Sequence, residues 1–318
     1  MELIRGLQNL RAQHRGCVLT IGNFDGMHRG HQALVQRTLQ IAGRLGLPAA
    51  AMTFEPTPRE YFRRADAPPR VQTLRSKLDS LAHSGLQRVV IARFSQALST
   101  MSAETFVDDL LVRQLGVAAV VVGHDFRYGR QRSGDEAHLR AAAAAHGFEL
   151  SIVDKVCVGD LRCSSTALRE ALAVPDLPRV GDLLGRPYTV LGRVRRGLQL
   201  GRQLGMPTAN IDLVRPLAVR QGVYAVRARI DGGPAWDGVA SLGIRPTIGI
   251  TRCLLETHLF GQPGDIYGRQ LEVEFVAWLR PELKFASLDE LSARMQQDAD
   301  DARGILARNP QQNPSATT

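Results

Sequence analysis

Cys17-Val18-Leu19-Thr20-Ile21-Gly22-Asn23-Phe24-Asp25-Gly26-Met27-His28-Arg29-Gly30-His31 reads as a strand that runs into a glycine-rich loop and then a helix. The strand is Cys17–Gly22, and the helix starts near Gly30. In an open parallel sheet, ligands bind where strands end and helix N-termini point. Glycines at 22, 26 and 30 let the backbone approach an anion closely. The helix start offers unpaired N–H groups and the positive end of a dipole. His28 and His31 can present imidazoles to one phosphate, where donors stabilise negative charge that develops on phosphorus. A His-x-x-His pair or a glycine-rich turn alone is commonly structural. Together at a strand–helix junction, they read as a phosphate site. No Gly-Lys-Ser/Thr follows, so the loop is not a kinase-type P-loop.

Strand-like runs recur downstream at Ala49–Phe54, Arg88–Phe94, Ala118–Gly123 and Glu149–Val153. Several are apolar throughout, as expected of strands buried on both faces of a parallel sheet. Helical stretches lie between them: Gly30–Leu45, Leu74–Ser84, Ala103–Leu115 and Asp135–His146. Ser102 can cap the third. Alternating β and α units predict an N-terminal doubly wound α/β domain. The pattern changes after Leu172, and Val174-Pro175-Asp176-Leu177-Pro178 reads as a linker. Period-2 strands follow at Gly222–Ile230, Leu254–Leu259 and Leu271–Val276. In the last, Leu271, Val273 and Phe275 share one face and Glu272 and Glu274 the other. These predict a small C-terminal antiparallel β-barrel. Ser287-Leu288-Asp289-Glu290 is a capping box that opens a closing helix. The expected domains are 1–176 and 177–308, with a disordered tail over 309–318.

The length of 318 residues suits two domains. The net charge of +9 invites a nucleic-acid reading. Against it, the basic groups are nearly all arginine, the only lysines being Lys77, Lys155 and Lys284. The positive excess is spread evenly along the chain, with no basic tail. Aromatic residues make up only 5% of the chain, and no basic-aromatic strand offers a stacking platform for nucleic acid. A diffuse positive field suits an anionic substrate such as ATP. The four cysteines are scattered without a Cys-x-x-Cys pair, no signal-peptide core opens the chain, and no uncharged run would span a membrane. A reduced, cytoplasmic setting is expected.

A second site is readable in the C-terminal half. It runs Gly192-Arg193-Val194-x-x-Gly197-x-x-x-Gly201-Arg202-x-Leu204-Gly205-Met206-Pro207-Thr208-Ala209-Asn210. Gly197 and Gly201 permit a tight loop over phosphates, and Arg202 can reach them. Thr208 and Asn210 offer two oxygen ligands suited to a Mg²⁺ that bridges ATP phosphates. By composition alone, Pro207-Thr208-Ala209-Asn210 also passes for an ordinary turn.

The loop Gly22-Asn23-Phe24-Asp25-Gly26-x-His28-x-Gly30-His31 resembles the signature of the nucleotidyltransferase superfamily, in the form found in FMN adenylyltransferases. His-x-Gly-His alone would mark only the superfamily; Asn-Phe-Asp-Gly narrows it. Phe54-Glu55-Pro56-Thr57-Pro58 resembles that family's Phe-x-Pro-x-Pro element. Gly123-His124-Asp125-Phe126 resembles the loop after its fourth strand. Arg162-Cys163-Ser164-Ser165-Thr166-x-x-Arg169 resembles its Ser-Ser-Thr-x-x-Arg element. The C-terminal string resembles the flavokinase signature, and Gly222-Val223-Tyr224-Ala225, Gly243-Ile244-Arg245-Pro246-Thr247, Glu256-Thr257-His258-Leu259 and Asp265-Ile266-Tyr267-Gly268 concur. The resemblance covers about residues 15–307 and points to bacterial bifunctional riboflavin kinase/FMN adenylyltransferases. It implies that riboflavin, FMN and ATP are substrates. Catalysis would fall to His28, His31 and Glu256. At the adenylyltransferase site Gly22, Asn23, Asp25, Gly30, Ser165, Thr166 and Arg169 would hold ATP. Phe54, Pro56, Pro58, Gly123, Asp125 and Phe126 would line the FMN or nucleotide. At the kinase site Gly197, Gly201, Arg202, Pro207, Thr208 and Asn210 would hold ATP, with Mg²⁺ on Thr208 and Asn210. The resemblance implies no nucleic-acid or membrane partner and leaves self-association open. Thr57, Cys163, Met206 and Ser241 depart from the commonest pattern, and Ser241 bears most on flavin affinity. A non-catalytic flavin-binding barrel beside an active adenylyltransferase is the alternative.

Overall fold

The computed structural model describes residues 1–63, 66–197, 201, 204–247, 250–261 and 263–309. The chain forms two compact units, Met1–Pro68 with Lys77–Ala167, and Pro69–Ser76 with Leu168–Thr318.

The first unit contains strands β1 (Glu2–Arg5), β2 (Cys17–Ile21), β3 (Ala49–Glu55), β4 (Arg88–Arg93), β5 (Val117–Gly123) and β6 (Glu149–Val153). They form one parallel sheet in the order β1-β4-β3-β2-β5-β6. All five residues of β2 are buried, because the strand is central and covered on both faces. Val18, Ala51, Val89 and Val121 face one core with Leu34, Val35 and Ile41 of α1 (Arg29–Leu45). Leu19, Met52, Val90 and Val120 face the other with Phe106, Leu110 and Leu111. Successive residues point to opposite faces of a strand, so continuous apolar runs fill two cores at once. Further α-helices among the described residues are α2 (Pro58–Arg63), α3 (Leu74–Ala82), whose first three residues belong to the second unit, α4 (Gln96–Thr100), α5 (Ala103–Thr105) and α6 (Glu136–His146). Ser102 caps α5 as expected, its hydroxyl accepting from Thr105 N at 3.1 Å. That helix then widens into a π-helix over Phe106–Gln114. Strand β1 escaped the sequence pattern because four residues with two charges carry too little periodicity to read.

After a short hairpin of β7 (Cys157–Val158) and β8 (Leu161–Arg162), the chain enters α7 (Ser165–Ala173). The expected linker over 174–178 is a correction. The break after Ala173 is real, but a new helix, α8 (Leu177–Leu184), begins at once. Asp176 accepts from Arg179 N at 3.2 Å, and Pro178 sits in the first turn. Proline is excluded from helix interiors yet fits the first turn, where its missing N–H would have no partner anyway.

The second unit is a six-stranded antiparallel sheet of β9 (Thr189–Arg193), β10 (Ala209–Leu213), β11 (Gly222–Ile230), β12 (Ala235–Thr247), β13 (Ile250–Leu259) and β14 (Gln270–Arg280). The order is β10-β13-β12-β11-β14-β9. Its two ends approach each other where Arg195 N donates to Asn210 O at 2.8 Å. Gly192 makes that approach possible, since a Cβ there would lie 2.1 Å from Ile211 Cγ2. Leu271, Val273 and Phe275 are buried as the alternation predicted, with Tyr224 edge-on to Phe275 at 4.8 Å. The closing helix α9 (Leu288–Arg308) packs Ala299, Ala302 and Leu306 on Val223, Ala225 and Val239. Ser287 caps it through Glu290 N at 3.1 Å. The buried Asp298 ties it to the barrel through Arg280. Asn309 closes α9; the expected tail beyond it lies outside the described residues.

Pro69–Ser76 joins the second unit although it comes from the N-terminal half of the sequence. Val71 O accepts from the Tyr188 hydroxyl at 2.7 Å, and Ala218 N donates to Arg70 O at 2.7 Å. Among the described residues, no helix is long and apolar enough to cross a membrane.

Candidate active sites

The first site lies at the C-terminal end of the parallel sheet. Strands β3 and β5 flank β2 on opposite sides, so the chain leaves β2 at the point where strand order reverses. Gly22 N continues the ladder to Met52 O at 3.0 Å, and Thr53 Oγ1 donates to Asn23 O at 3.2 Å. The loop then turns sharply. Phe24 (φ 48°) and Met27 (φ 47°) hold left-handed backbone on either side of Gly26 (φ 99°). Such conformations are costly for side-chain-bearing residues and cluster at functional sites. Burial of the Phe24 and Met27 side chains holds them in place.

His28 is buried and forms the N-cap of α1, its Nδ1 accepting from His31 N at 3.3 Å. An Nδ1 that accepts leaves the proton of the neutral ring on Nε2, a donor. The His28 and His31 rings stack, 3.7 Å between centroids and 22° apart. His31 Nδ1 is buried without a hydrogen-bond partner. Gly30 is closely approached: a Cβ would lie 3.1 Å from the His28 ring and 3.3 Å from Cys163 O, so a larger residue would press on both. Desolvation first, then the neighbouring His28 and Lys77, hold the His31 pKa well below the usual imidazole range.

That depression fixes a pH dependence. The unfolded chain protonates His31 near pH 6.5, the folded chain only at lower pH, so stability is lost as pH falls through that interval. Urea unfolding midpoints of the wild type should fall between pH 7.5 and 5, and those of His31→Gln should fall less. Equal pH dependence of the two midpoints would contradict the burial of a neutral His31.

Three further segments adjoin this end of the sheet. Ser164 caps α7, accepting from Ala167 N at 3.1 Å, which leaves the next two hydroxyls for other work. Ser165 Oγ donates to Asp25 O at 2.8 Å, joining the α7 start to the loop, and Thr166 is exposed. Arg169, one turn on, gives its Nε to Pro69 O at 2.8 Å. Phe54 packs edge-on to Phe94, 5.9 Å between centroids, just before the cis Glu55–Pro56 peptide. Thr57 and Glu60 form a reciprocal cap at the start of α2, where Pro58 is the first residue. Thr57 therefore has a local structural function. After β5, Gly123 leads to exposed Asp125 and half-buried Phe126, which stacks on Tyr128 at 5.5 Å. Desolvation pushes the Asp125 carboxyl up, but the Arg162 guanidinium at 2.5 Å outweighs it and holds the carboxyl below its usual range.

The second site lies on the barrel. Asn210 on β10 is paired with Glu256 on β13, and Ser241 on β12 pairs Glu256 from the other side. Asn210 is buried. Its Nδ2 donates to Thr208 O at 3.3 Å, and its Oδ1 has no hydrogen-bond partner. A buried oxygen left open beside a half-buried threonine fits a hard cation, for which oxygen donors are the rule. Gly197 lies over Asn210, since a Cβ would approach Nδ2 to 2.6 Å. Gly201 is pressed against Met206 O, which a Cβ would meet at 2.4 Å, and Met206 N donates to Gly201 O at 2.7 Å. Pro207 is exposed, and its carbonyl accepts from His258 Nδ1 at 3.0 Å. Ser241 Oγ donates to Glu282 at 3.4 Å. Arg202 lies outside the described residues.

Comparison with known proteins divides the chain in the same way. Residues 10–167 match the family model described as FAD synthetase, and residues 184–306 the one described as riboflavin kinase. A bifunctional riboflavin kinase/FMN adenylyltransferase from Pseudomonas fluorescens is 46% identical over 96% of this chain and 98% of its own length. The Haemophilus influenzae protein of that name is 44% identical, over 96% and 99% respectively. This chain belongs to the bifunctional riboflavin kinase/FMN adenylyltransferase family. A solved structure described as a macrolide-efflux protein from Streptococcus pneumoniae shares the fold, with a TM-score of 0.79, 26% identity and 95% of this chain covered.

For a bifunctional riboflavin kinase/FMN adenylyltransferase, two residues of these sites went unread in the sequence. Lys77 of α3 is almost fully buried, and its charge helps to depress His31. A lysine in an amphipathic helix carries no signal of that kind. His258 stands two residues from Glu256 on β13 and so shares its face, a period-2 signal that was available.

Proposed function

We propose that each of the two sites carries one step of FAD synthesis, with residues 177–308 as the kinase domain and 1–176 as the adenylyltransferase domain. The chain phosphorylates riboflavin with ATP to give FMN, then joins FMN to AMP from a second ATP, releasing pyrophosphate. Asn210 facing Glu256 in one unit, and His28 stacked on His31 in the other, support two catalytic sites over a barrel that only binds flavin.

In the kinase step, the Glu256 carboxylate takes the proton of the riboflavin 5′-hydroxyl as that oxygen attacks the γ-phosphorus, and the bond from the γ-phosphorus to the bridging oxygen breaks, releasing ADP. Thr208 and the open Asn210 Oδ1 would hold Mg²⁺, which when bound neutralises charge on the phosphate oxygens. Gly197, Gly201 and Pro207 would border those phosphates, and the Arg202 guanidinium is the side chain whose charge suits them. In the second step, an oxygen of the FMN phosphate attacks the α-phosphorus of ATP in line, and the bond to pyrophosphate breaks. His28 donates from Nε2 to the α-phosphate, with neutral His31 beside it, stabilising the added charge. No covalent enzyme intermediate is involved. Gly22, Asn23, Asp25 and Gly30 shape the loop, while Ser165, Thr166 and Arg169 of α7 bind ATP phosphates. Phe54, Pro56, Pro58, Gly123, Asp125 and Phe126 border the flavin or nucleotide. A cytoplasmic setting suits four unpaired cysteines and an ATP-dependent reaction.

The test is a chromatographic time course of the purified protein with riboflavin, ATP and Mg²⁺. FMN should accumulate first and FAD follow. Formation of FAD from supplied FMN, but never FMN from riboflavin, would leave the barrel as a binding module only. Formation of neither would overturn the reading.

A further inference from the structure

We propose that His258 is a positioning residue of the kinase site, whose Nδ1–H holds the Pro207 carbonyl and thereby sets the oxygens of Thr208 and Asn210. The proposal rests on the reading of those two residues as ligands of the ATP-bound cation.

Residues 207 and 208 precede β10, so the strand ladder does not hold them. Register pairing with β13 begins at Ala209, opposite Thr257. Pro207 has no N–H to donate, and its residue is exposed, so only its carbonyl can tie it to the fold. That carbonyl accepts from His258 Nδ1 at 3.0 Å. The next carbonyl, of Thr208, accepts from Asn210 Nδ2 at 3.3 Å. Two successive carbonyls are thus each held by a side-chain donor. The second bond engages one N–H of the Asn210 amide and so orients the group, with Oδ1 as the open atom. If Pro207 moved, the Thr208 carbonyl would move with it, and the Asn210 amide would lose the bond that orients it.

His258 is itself braced. Its ring stands edge-on to Phe260, 5.9 Å between centroids and 64° apart, and the Arg303 guanidinium of α9 lies 4.3 Å from the centroid of the same Phe260 ring. It also shares one face of β13 with Glu256. One strand therefore carries both the carboxylate that faces Asn210 and the imidazole that supports the segment before it. Because a carbonyl can only accept, Nδ1 must carry the hydrogen. That requirement names the substitution that restores function: an asparagine Nδ2 reaches the place of Nδ1, while a glutamine amide reaches that of Nε2.

The experiment compares wild type, His258→Ala, His258→Asn, His258→Gln and Thr208→Ala in the full chain. Riboflavin phosphorylation is measured against Mg·ATP, Mg·ADP binding by calorimetry without turnover, and FAD formation from supplied FMN as the internal reference. His258→Ala and His258→Gln should raise KM for Mg·ATP, and weaken Mg·ADP, by about five- to tenfold, the worth of one hydrogen bond. Their kcat should stay near wild type, His258→Asn should recover most of the loss, and FAD formation from FMN should not change. Normal Mg·ADP binding by His258→Ala, while Thr208→Ala binds weakly, overturns the positioning role alone. Normal binding by both overturns the ligand reading beneath it. Equal behaviour of the Asn and Gln variants also refutes the role assigned to Nδ1, and that comparison stands even where the alanine variant folds poorly.

Discussion

His28→Ala lowers FAD formation from FMN by on the order of a hundred- to a thousandfold, while FMN formation from riboflavin continues at the wild-type rate. The first part follows from the loss of an Nε2–H aimed at charge that develops on phosphorus; removing one such donor costs on the order of 10²–10³ in kcat. The second follows because His28 and Glu256 belong to different compact units. The substitution also removes the α1 N-cap, whose loss costs about 1 kcal/mol of helix stability. His28→Asn separates the two effects. Asparagine is a good N-cap and can accept from His31 N, so the fold is kept while the imidazole is gone. Both variants should therefore lose FAD synthesis equally, and His28→Asn should unfold at higher urea than His28→Ala. Chromatographic assay of each half-reaction checks this; wild-type FAD synthesis by His28→Asn would remove His28 from the chemistry.

Glu256→Gln gives the opposite pattern: FMN formation from riboflavin falls by about 10²–10⁴-fold, the usual contribution of a general base, while supplied FMN is still converted to FAD. Glutamine keeps the size of the side chain. The backbone pairing of residue 256 with Asn210 and Ser241 does not depend on the carboxylate. The loss should thus appear in kcat with little change in the melting temperature. If both the His28 and Glu256 variants lose both activities while remaining folded, the two sites are not independent.

Much of this was legible because the decisive residues sit close together in sequence. The strand–loop–helix of residues 17–45 announces itself through an apolar run, three glycines and a His-x-x-His pair, all within local reach; that His28 caps the helix only the structure showed. The period-2 face of Leu271, Val273 and Phe275 and the Ser287 cap were read the same way. Helix α8 was misread because Pro178 stops one helix as readily as it starts the next. Only the Asp176 cap and the buried Leu177, Val180, Leu183 and Leu184 decide between the two. Thr57 and Ser164 stand inside two of the motifs quoted for the resemblance, without a role read for them there. In the fold each caps a helix, through Glu60 N and Ala167 N respectively.

By itself, the sequence determined strands β2 to β6, β11, β13 and β14, helices α1, α3, α6 and α9, and that one sheet is parallel and the other antiparallel. Those properties follow from periodicity, capping and side-chain chemistry, which act over a few residues. Tertiary structure alone decided the partners. It set Ser165 against the Asp25 carbonyl, Asn210 beside Glu256, His258 under Pro207, and Pro69–Ser76 into the second unit. Period-2 alternation tells which face a strand residue occupies but not which strand lies beside it. That choice rests on register and on closing long loops, whose entropy depends only weakly on length and leaves no local mark.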